Sequence, residues 1–333
     1  MAALGLTACT GGGNGATGGD VNTVDDSLAA SFDDAIANAM TSSGSTEAIV
    51  GIWGSDGSEY VRAYGNEELD GGSLIRGGQA TQPVMCALLL DLVEEGTIDL
   101  DREISKDLTR QVGIEGITYR QLCDMRSGLA DFKSGFRDIF VNNPTRVWPE
   151  QELIAQGLVH SPLKWPGLDF HESDTNATML SRVLRVKTAS ETAQLLDDHV
   201  FNKASMGSTF YPDPTTTALS GSTLSGLAYA SKGGKPVCKT GALEVPEVSS
   251  SMLAGAGGTV TTVTDLKNFY SSYLDGEFGG DAASVVTEKT PTKNPKRNQD
   301  GEPKTEPVTT GRQGTFGRDT QGLLYGRAGA NTG

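Results

Sequence analysis

Basic residues are in short supply: 27 Lys and Arg stand against 42 Asp and Glu, a formal net charge of -15. A phosphate backbone is bound by clustered Lys and Arg, so this balance excludes nucleic acid as the main partner. Histidine is scarcer, with three residues: His160, His171 and His199. None stands at metal-ligand spacing from another His or a Cys, so no metal site is expected, and each reads as a surface or loop residue. The four cysteines include no C-x-x-C pair. Cys86 and Cys123 lie in apolar, helix-like stretches and read as buried small hydrophobes, with a disulfide or a reactive thiol as the alternative. No stretch approaches the ~18 apolar residues of a membrane span. Internal repeats are lacking too.

What is present is a chain of 333 residues, 43 of them glycine. That length supports one large domain with a substantial core, or two small ones. Residues 1–26, rich in Gly, Thr, Asn and Asp, read as a flexible tether. Within it, Leu6-Thr7-Ala8-Cys9 followed by Thr10-Gly11-Gly12-Gly13 resembles a bacterial lipoprotein signal with its lipobox, and implies lipidation at Cys9. Only eight residues precede Cys9 and none is basic, so the signal reads as truncated.

From Ser27, taken as an N-cap, Phe32, Ile36 and Met40 recur at helical spacing. Residues 48–53 and 59–64 flank Ser55-Asp56-Gly57-Ser58 and read as a β-hairpin. Helical periodicity follows at 83–95, closed by Gly96, then at 117–126 with Thr118 as cap, 149–157, 175–186 and 189–200. Residues 259–263 return to strand, and 265–274 form an amphipathic helix. Residues 287–314, rich in Pro, Lys, Asn, Gly and Thr, read as a long exposed loop. The expected fold class is α/β (α+β): an antiparallel sheet flanked by helices, with an inserted, mostly helical lobe at about 83–245. The cleft between sheet and lobe is the natural ligand site.

Several stretches resemble the serine β-lactamase (class C-like) and D-alanyl-D-alanine carboxypeptidase family. They include Leu92-Val93-Glu94-Glu95-Gly96-Thr97-Ile98-Asp99-Leu100-Asp101, Ile117-Thr118-Tyr119-Arg120-Gln121-Leu122 and Met125-Arg126-Ser127-Gly128-Leu129. Trp165-Pro166-Gly167 and Ala254-Gly255-Ala256-Gly257-Gly258 follow in family order. The match covers most of residues 47–333. It implies the fold of penicillin-recognising serine hydrolases, and no cofactor. Relatives continue past the equivalent of Gly333 with two strands and a terminal helix, so the fold is expected to lack those elements.

The family's chemistry needs a Ser-x-x-Lys turn, in which the Lys amine takes the proton of the attacking Ser. Counting back from Gly96 places the Ser at Gln79 and the Lys at Gln82. Arg76, Gly78 and Thr81 match the flanking pattern. The Tyr-x-Asn motif falls on Glu172 and Asp174, with Ser173, Thr175 and Asn176 matching. The His/Lys-Thr-Gly motif falls on Arg327-Ala328-Gly329. An amide is neither a nucleophile nor a useful proton acceptor near neutral pH. The resemblance therefore implies a frame whose catalytic Ser, Lys, Tyr, Asn and His positions are all substituted.

Relocated catalysis has weak support. Ser161-Pro162-Leu163-Lys164 is stopped by Trp165-Pro166-Gly167, and Lys239-Thr240-Gly241 precedes the Ala-Gly-Ala-Gly-Gly run instead of following it. Glu172 and Asp174 as a glycosidase-like acid and base would need a separation the sequence does not reveal. Arg327, with Asn176 and Gly329, remains a candidate to hold a ligand carboxylate, since Arg grips one with paired hydrogen bonds. Pairing of Arg327 with Glu172 or Asp174 is the competing arrangement. The expected protein is a non-catalytic, extracytoplasmic lipoprotein, bound to the membrane through Cys9 and receiving a peptidoglycan stem peptide or a β-lactam in its cleft. Alternatives are an active serine hydrolase with a displaced nucleophile, and an incomplete or decayed sequence.

Overall fold

The computed structural model describes residues 19–279 apart from 161 and 169, residue 299, and the backbone of 314–318 and 323–326. The hairpin forms as expected: β2 (Ala48–Trp53) pairs antiparallel with β3 (Glu59–Tyr64). The end of the supposed tether is not free. β1 (Val21–Asn22) adds to the far side of β3, giving the order β1-β3-β2. Helix α1 (Asp26–Ser43) starts earlier than predicted, because Asp25 is the N-cap and its carboxylate accepts from the Ser27 and Leu28 amides. A carboxylate also suits the positive end of the helix dipole. Phe32 of α1 packs edge-on against Tyr60 of β3, with centroids 5.2 Å apart.

β4 (Ile75–Arg76) pairs antiparallel with β9 (Val260–Thr261). A 3-10 turn, Gly78–Ala80, then leads directly into α2 (Thr81–Glu94). Every residue of α2 from Thr81 to Leu92 is buried. Such a helix is buried on every face because it runs through the core, and its polar residues Thr81, Gln82 and Asp91 are buried with it. Around it pack α3 (Tyr119–Cys123), α6 (Asp174–Thr188), α7 (Thr192–Leu196) and the π-turn Asp197–Phe201. Thr118 caps α3 in a capping box with Gln121. α5 (Glu150–Val159) lies against α6, and α8 (Val263–Leu274) is capped by Thr262. The predicted strand 259–263 is short, since Val263 already belongs to α8.

Cys86 of α2 and Cys123 of α3 are joined as a disulfide, their Cα atoms 5.2 Å apart. Both are buried, as expected, but the apolar pattern hid their pairing. Sequence periodicity places each on an inward face and cannot show that two inward faces meet.

Helix α4 (Lys133–Asn142) was not anticipated. Its signal was present in Phe132, Phe136 and Phe140, spaced four apart. Phe136 and Phe140 both pack on Trp148 at 4.7 Å between centroids. Facing α4 lie β5 (Gly226–Ala228) paired with β8 (Leu243–Val245), and the small hairpin of β6 (Ser231–Lys232) and β7 (Lys235–Pro236). β10 (Gly314–Arg318) and β11 (Leu323–Gly326) form a separate antiparallel pair. Among the described residues the architecture is thus mixed α/β, with helices and small antiparallel sheets.

The segment 125–128 is clamped to the run before α6. Leu163 N–H donates to Gly128 O, Gly167 N–H to Arg126 O, and His171 N–H to Met125 O. Gly128 sits at φ +79°, and a Cβ there would fall on the Lys164 carbonyl oxygen. Both the left-handed backbone and the close approach demand glycine. Gly128→Ala should therefore cost about 3 kcal/mol in chemical denaturation. A loss below about 0.5 kcal/mol would contradict the clamp.

Candidate functional site

Three elements converge on one carboxylate. The turn before α2 supplies Gln79 and the first turn of α2 supplies Gln82. The turn is pinned to the strand edge: Gly77 N–H donates to Thr259 O at 2.8 Å, and the Thr81 and Thr259 hydroxyls lie 2.6 Å apart. The first turn of α6, capped by Ser173, supplies Asp174. The start of α4 supplies Lys133.

Asp174 is completely buried. Its Oδ1 accepts from Gln79 Nε2 and from Gln82 Nε2, each at 2.8 Å. Its Oδ2 meets Lys133 Nζ at 2.9 Å. The positive end of α6 adds to this stabilisation of negative charge. Lys133 also lies 3.7 Å from Asp131. The Asp131 carboxylate accepts from the Lys133 backbone amide at 3.0 Å.

The charges shift one another. Burial, and then repulsion from Asp174, push the Asp131 carboxyl up to about 6, against the pull of Lys133. Burial opposes the Lys133 ammonium, yet attraction to Asp174, Asp131 and Glu172 holds its pKa above the ordinary lysine value. The folded protein thus keeps a proton on Asp131 that the unfolded chain, near 3.8, releases earlier. Between those values the native state binds more protons, so this group's contribution to stability is lost as pH rises through about 6. Asp131→Asn should raise the Tm at pH 8 and leave it unchanged at pH 4, by calorimetry. An equal effect at both values would exclude this origin.

The hydroxyls that touch this region are already engaged. Ser127 donates to Asn176 Oδ1, and Thr175 donates to Ala130 O at 2.6 Å. Asn176, a candidate ligand contact by sequence, is fully buried, and its amide donates to Met125 Sδ and Ser173 O. It braces the site from behind. Glu172 is exposed whereas Asp174 is buried, so the two carboxylates occupy different environments despite their proximity in sequence.

Lys164 lies in a bend, outside any helix, and Ser161 lies outside the described residues. Lys239-Thr240-Gly241 forms an exposed turn, with the Thr240 hydroxyl donating to Val237 O. Arg327, Ala328, Gly329, Cys9 and residues 287–298 and 300–313 lie outside the described residues.

His199 departs from the surface-or-loop reading, since it lies half-buried in the π-turn, whereas His171 lies in a loop as expected. His171 is buried beside the site. His199 Nδ1 lies 2.9 Å from Asp91 Oδ2 and 3.7 Å from Glu95. These three side chains could converge on a cation. The Lys203 ammonium, however, already sits 2.5 Å from Asp91 Oδ1, which favours an ion-paired network over a metal centre.

Sequence reasoning missed Asp131 and Lys133. Their only signal was their place at the head of the unrecognised phenylalanine-spaced helix.

A sequence profile described as Beta-lactamase matches residues 32–333. Among solved structures, a D-stereospecific amidohydrolase from a Streptomyces species superposes with a TM-score of 0.70 at 21% identity, over 86% of this chain and 83% of that one. The D-amino acid amidase from Ochrobactrum anthropi SV3, solved with D-phenylalanine, gives 0.68 at 20% identity over 90% of each chain. An octameric penicillin-binding protein homologue from Pyrococcus abyssi gives 0.63 at 18%, over 85% of this chain and 64% of that one.

Proposed function

Since the chain belongs to the Beta-lactamase family, we propose that it is a non-catalytic member, which binds a peptidoglycan-type peptide without forming an acyl-enzyme. The observation that carries this reading is Asp174, whose buried carboxylate takes the amide nitrogens of both Gln79 and Gln82 and the ammonium of Lys133. A serine hydrolase needs a hydroxyl beside a group that can accept its proton. Here the facing groups are two amides and a carboxylate tied to three donors. Neither amide can attack a carbonyl, and Asp174 is engaged as an acceptor by its partners.

The test is intact mass after incubation with a penicillin and, separately, with an activated ester. A folded sample with a cooperative thermal transition should gain no mass. An adduct mapped to a single Ser or Thr would overturn the proposal and favour a hydrolase with a displaced nucleophile.

The proposal extends to location. Cys9 and its glycine-rich follow-on support an extracytoplasmic, lipid-anchored protein. No helix among the described residues is long and apolar enough to cross a membrane. Lipid labelling lost on Cys9→Ser would support the anchor, and labelling that survives the change would exclude Cys9 as its site.

A further inference from the structure

A cavity of about 240 Å³ lies between Arg182 and Val186 of α6 and the turn at 107–111. Arg182 stands eight residues beyond Asp174, about 12 Å along the helix, so this cavity is separate from the carboxylate cluster described above. The carboxylate in its wall is already engaged. Asp107 accepts from Arg102 Nε at 2.8 Å and Nη2 at 3.1 Å and from the Tyr119 hydroxyl at 3.1 Å, and its Oδ1 lies 3.7 Å from Lys187 Nζ.

The two guanidiniums that line the same cavity have donors to spare. Arg110 is exposed, and its side chain makes no hydrogen bond or ion pair among the described residues. Arg182 has one ion pair, with Glu150 at 3.6 Å, which is too long for a hydrogen bond. Its Nε is buried without a partner among the described residues. Native structures leave few such donors unmatched, because a buried N–H without an acceptor is costly. Glu150 cannot serve Arg182 better, since its Oε2 is held by Arg185, which also reaches Glu191 at 3.5 Å. The cavity and the ion pairs that wall it thus hold five cations, Arg102, Arg110, Arg182, Arg185 and Lys187, against three carboxylates, Asp107, Glu150 and Glu191. The whole chain carries a net charge of -15, so this local positive excess runs against its composition. The exposed Thr109 adds a hydroxyl to the same wall.

We propose that this cavity binds a dianionic oxyanion of the phosphate class, with the Arg110 and Arg182 guanidiniums as its donors. Two guanidiniums on separate elements offer more N–H groups than the two oxygens of one carboxylate can accept, whereas a tetrahedral phosphate presents at least three oxygens. Its two negative charges match the excess of two positive ones. Free phosphate and a lipid headgroup share this chemistry. Val186 in the wall and Val112 next to it are exposed by 52% and 77% and leave room for either. The proposal does not involve Gln79, Gln82 or Asp174, and it stands whether or not the chain forms an acyl-enzyme.

The test is titration calorimetry of the full chain with inorganic phosphate at pH 8, where phosphate is a dianion. One phosphate should bind per chain, and acetate at equal concentration should not displace it. Arg110→Gln and Arg182→Gln should each lower the affinity about tenfold. Lys235→Gln, the same change of charge on the β6–β7 hairpin, should leave it unaltered. Arg110 has no partner to lose, so its variant should fold, which a cooperative thermal transition verifies. Flotation with phosphatidic acid vesicles, compared with phosphatidylcholine vesicles, separates the two sources. Vesicle binding that Arg110→Gln abolishes would support a headgroup as the ligand, and phosphate binding without vesicle binding would support a soluble phosphate. Failure to bind either, or phosphate affinity that survives Arg110→Gln, would overturn the proposal. Displacement by acetate as readily as by phosphate would overturn the dianion as its ligand.

Discussion

On the proposed reading of Gln79 and Gln82 as the nucleophile and base positions, serine and lysine placed there together will not give acylation unless Asp174 is changed as well. In Gln79→Ser/Gln82→Lys, the new ammonium at position 82 would point at Asp174 Oδ1, where Gln82 Nε2 now lies at 2.8 Å. A buried carboxylate at that distance holds an amine protonated, and a protonated amine accepts no proton from serine. Adding Asp174→Asn removes the opposing charge. Burial and the neighbouring Lys133 then both favour the neutral amine at position 82. Adding Glu172→Tyr supplies the tyrosine of the second family motif, while Arg327 and Ala328 at the third are left as they are. In a serine protease the nucleophile and base are each worth about 10⁶ in turnover, and they act as a unit. The expected result is therefore all-or-none. The double variant should show no penicillin adduct by intact mass, and the quadruple variant should gain one acyl group. A quadruple variant that folds and stays unmodified would show that the frame has lost more than these side chains. An adduct on the double variant would show that Asp174 does not hold the amine charged.

The second large effect is on stability. Asp174→Ala should cost about 3–5 kcal/mol, the range for breaking a buried ionic contact by removing one partner. The lower part of that range is expected, because Lys133 is about a third exposed and can regain water. Gln79 and Gln82, both buried, each lose an acceptor. Asp174→Asn keeps an amide oxygen for the two glutamines and should cost only about 1 kcal/mol. The two variants can be compared by urea denaturation at pH 7. Equal stability of the alanine and asparagine variants would mean that the glutamine contacts contribute nothing. Asp174→Asn as costly as alanine through loss of the Lys133 contact alone would be revealed by adding Lys133→Met, which should then recover stability.

Much of the fold was legible in the sequence because its signals are local. The β2–β3 hairpin follows from alternation around Ser55-Asp56-Gly57-Ser58, and its ladder runs from Ala48 opposite Tyr64 to Trp53 opposite Glu59. The cap at Thr118 satisfies a backbone donor within three residues of itself. Errors arose where a near neighbour in sequence competed, as Asp25 did with Ser27 for the cap of α1. They also arose where long-range pairing recruited an unremarkable dipeptide, as β3 recruited Val21–Asn22.

The candidate site divides along the same line. By itself the sequence determined which chemical groups are on hand: amides at 79 and 82, and carboxylates at 172 and 174. Residue chemistry needs no coordinates. Only the tertiary structure decided what those groups touch. Gln79 and Asp174 are 95 residues apart in the chain and share a hydrogen bond because α2 and α6 cross in the core. Lys133 joins them from a helix that sequence reading overlooked, and Cys86 finds Cys123 in the same way. Periodicity reports which face of an element turns inward. Which inward faces meet is set by the packing of the whole core, and the charges and bonds of this site lie at such meetings.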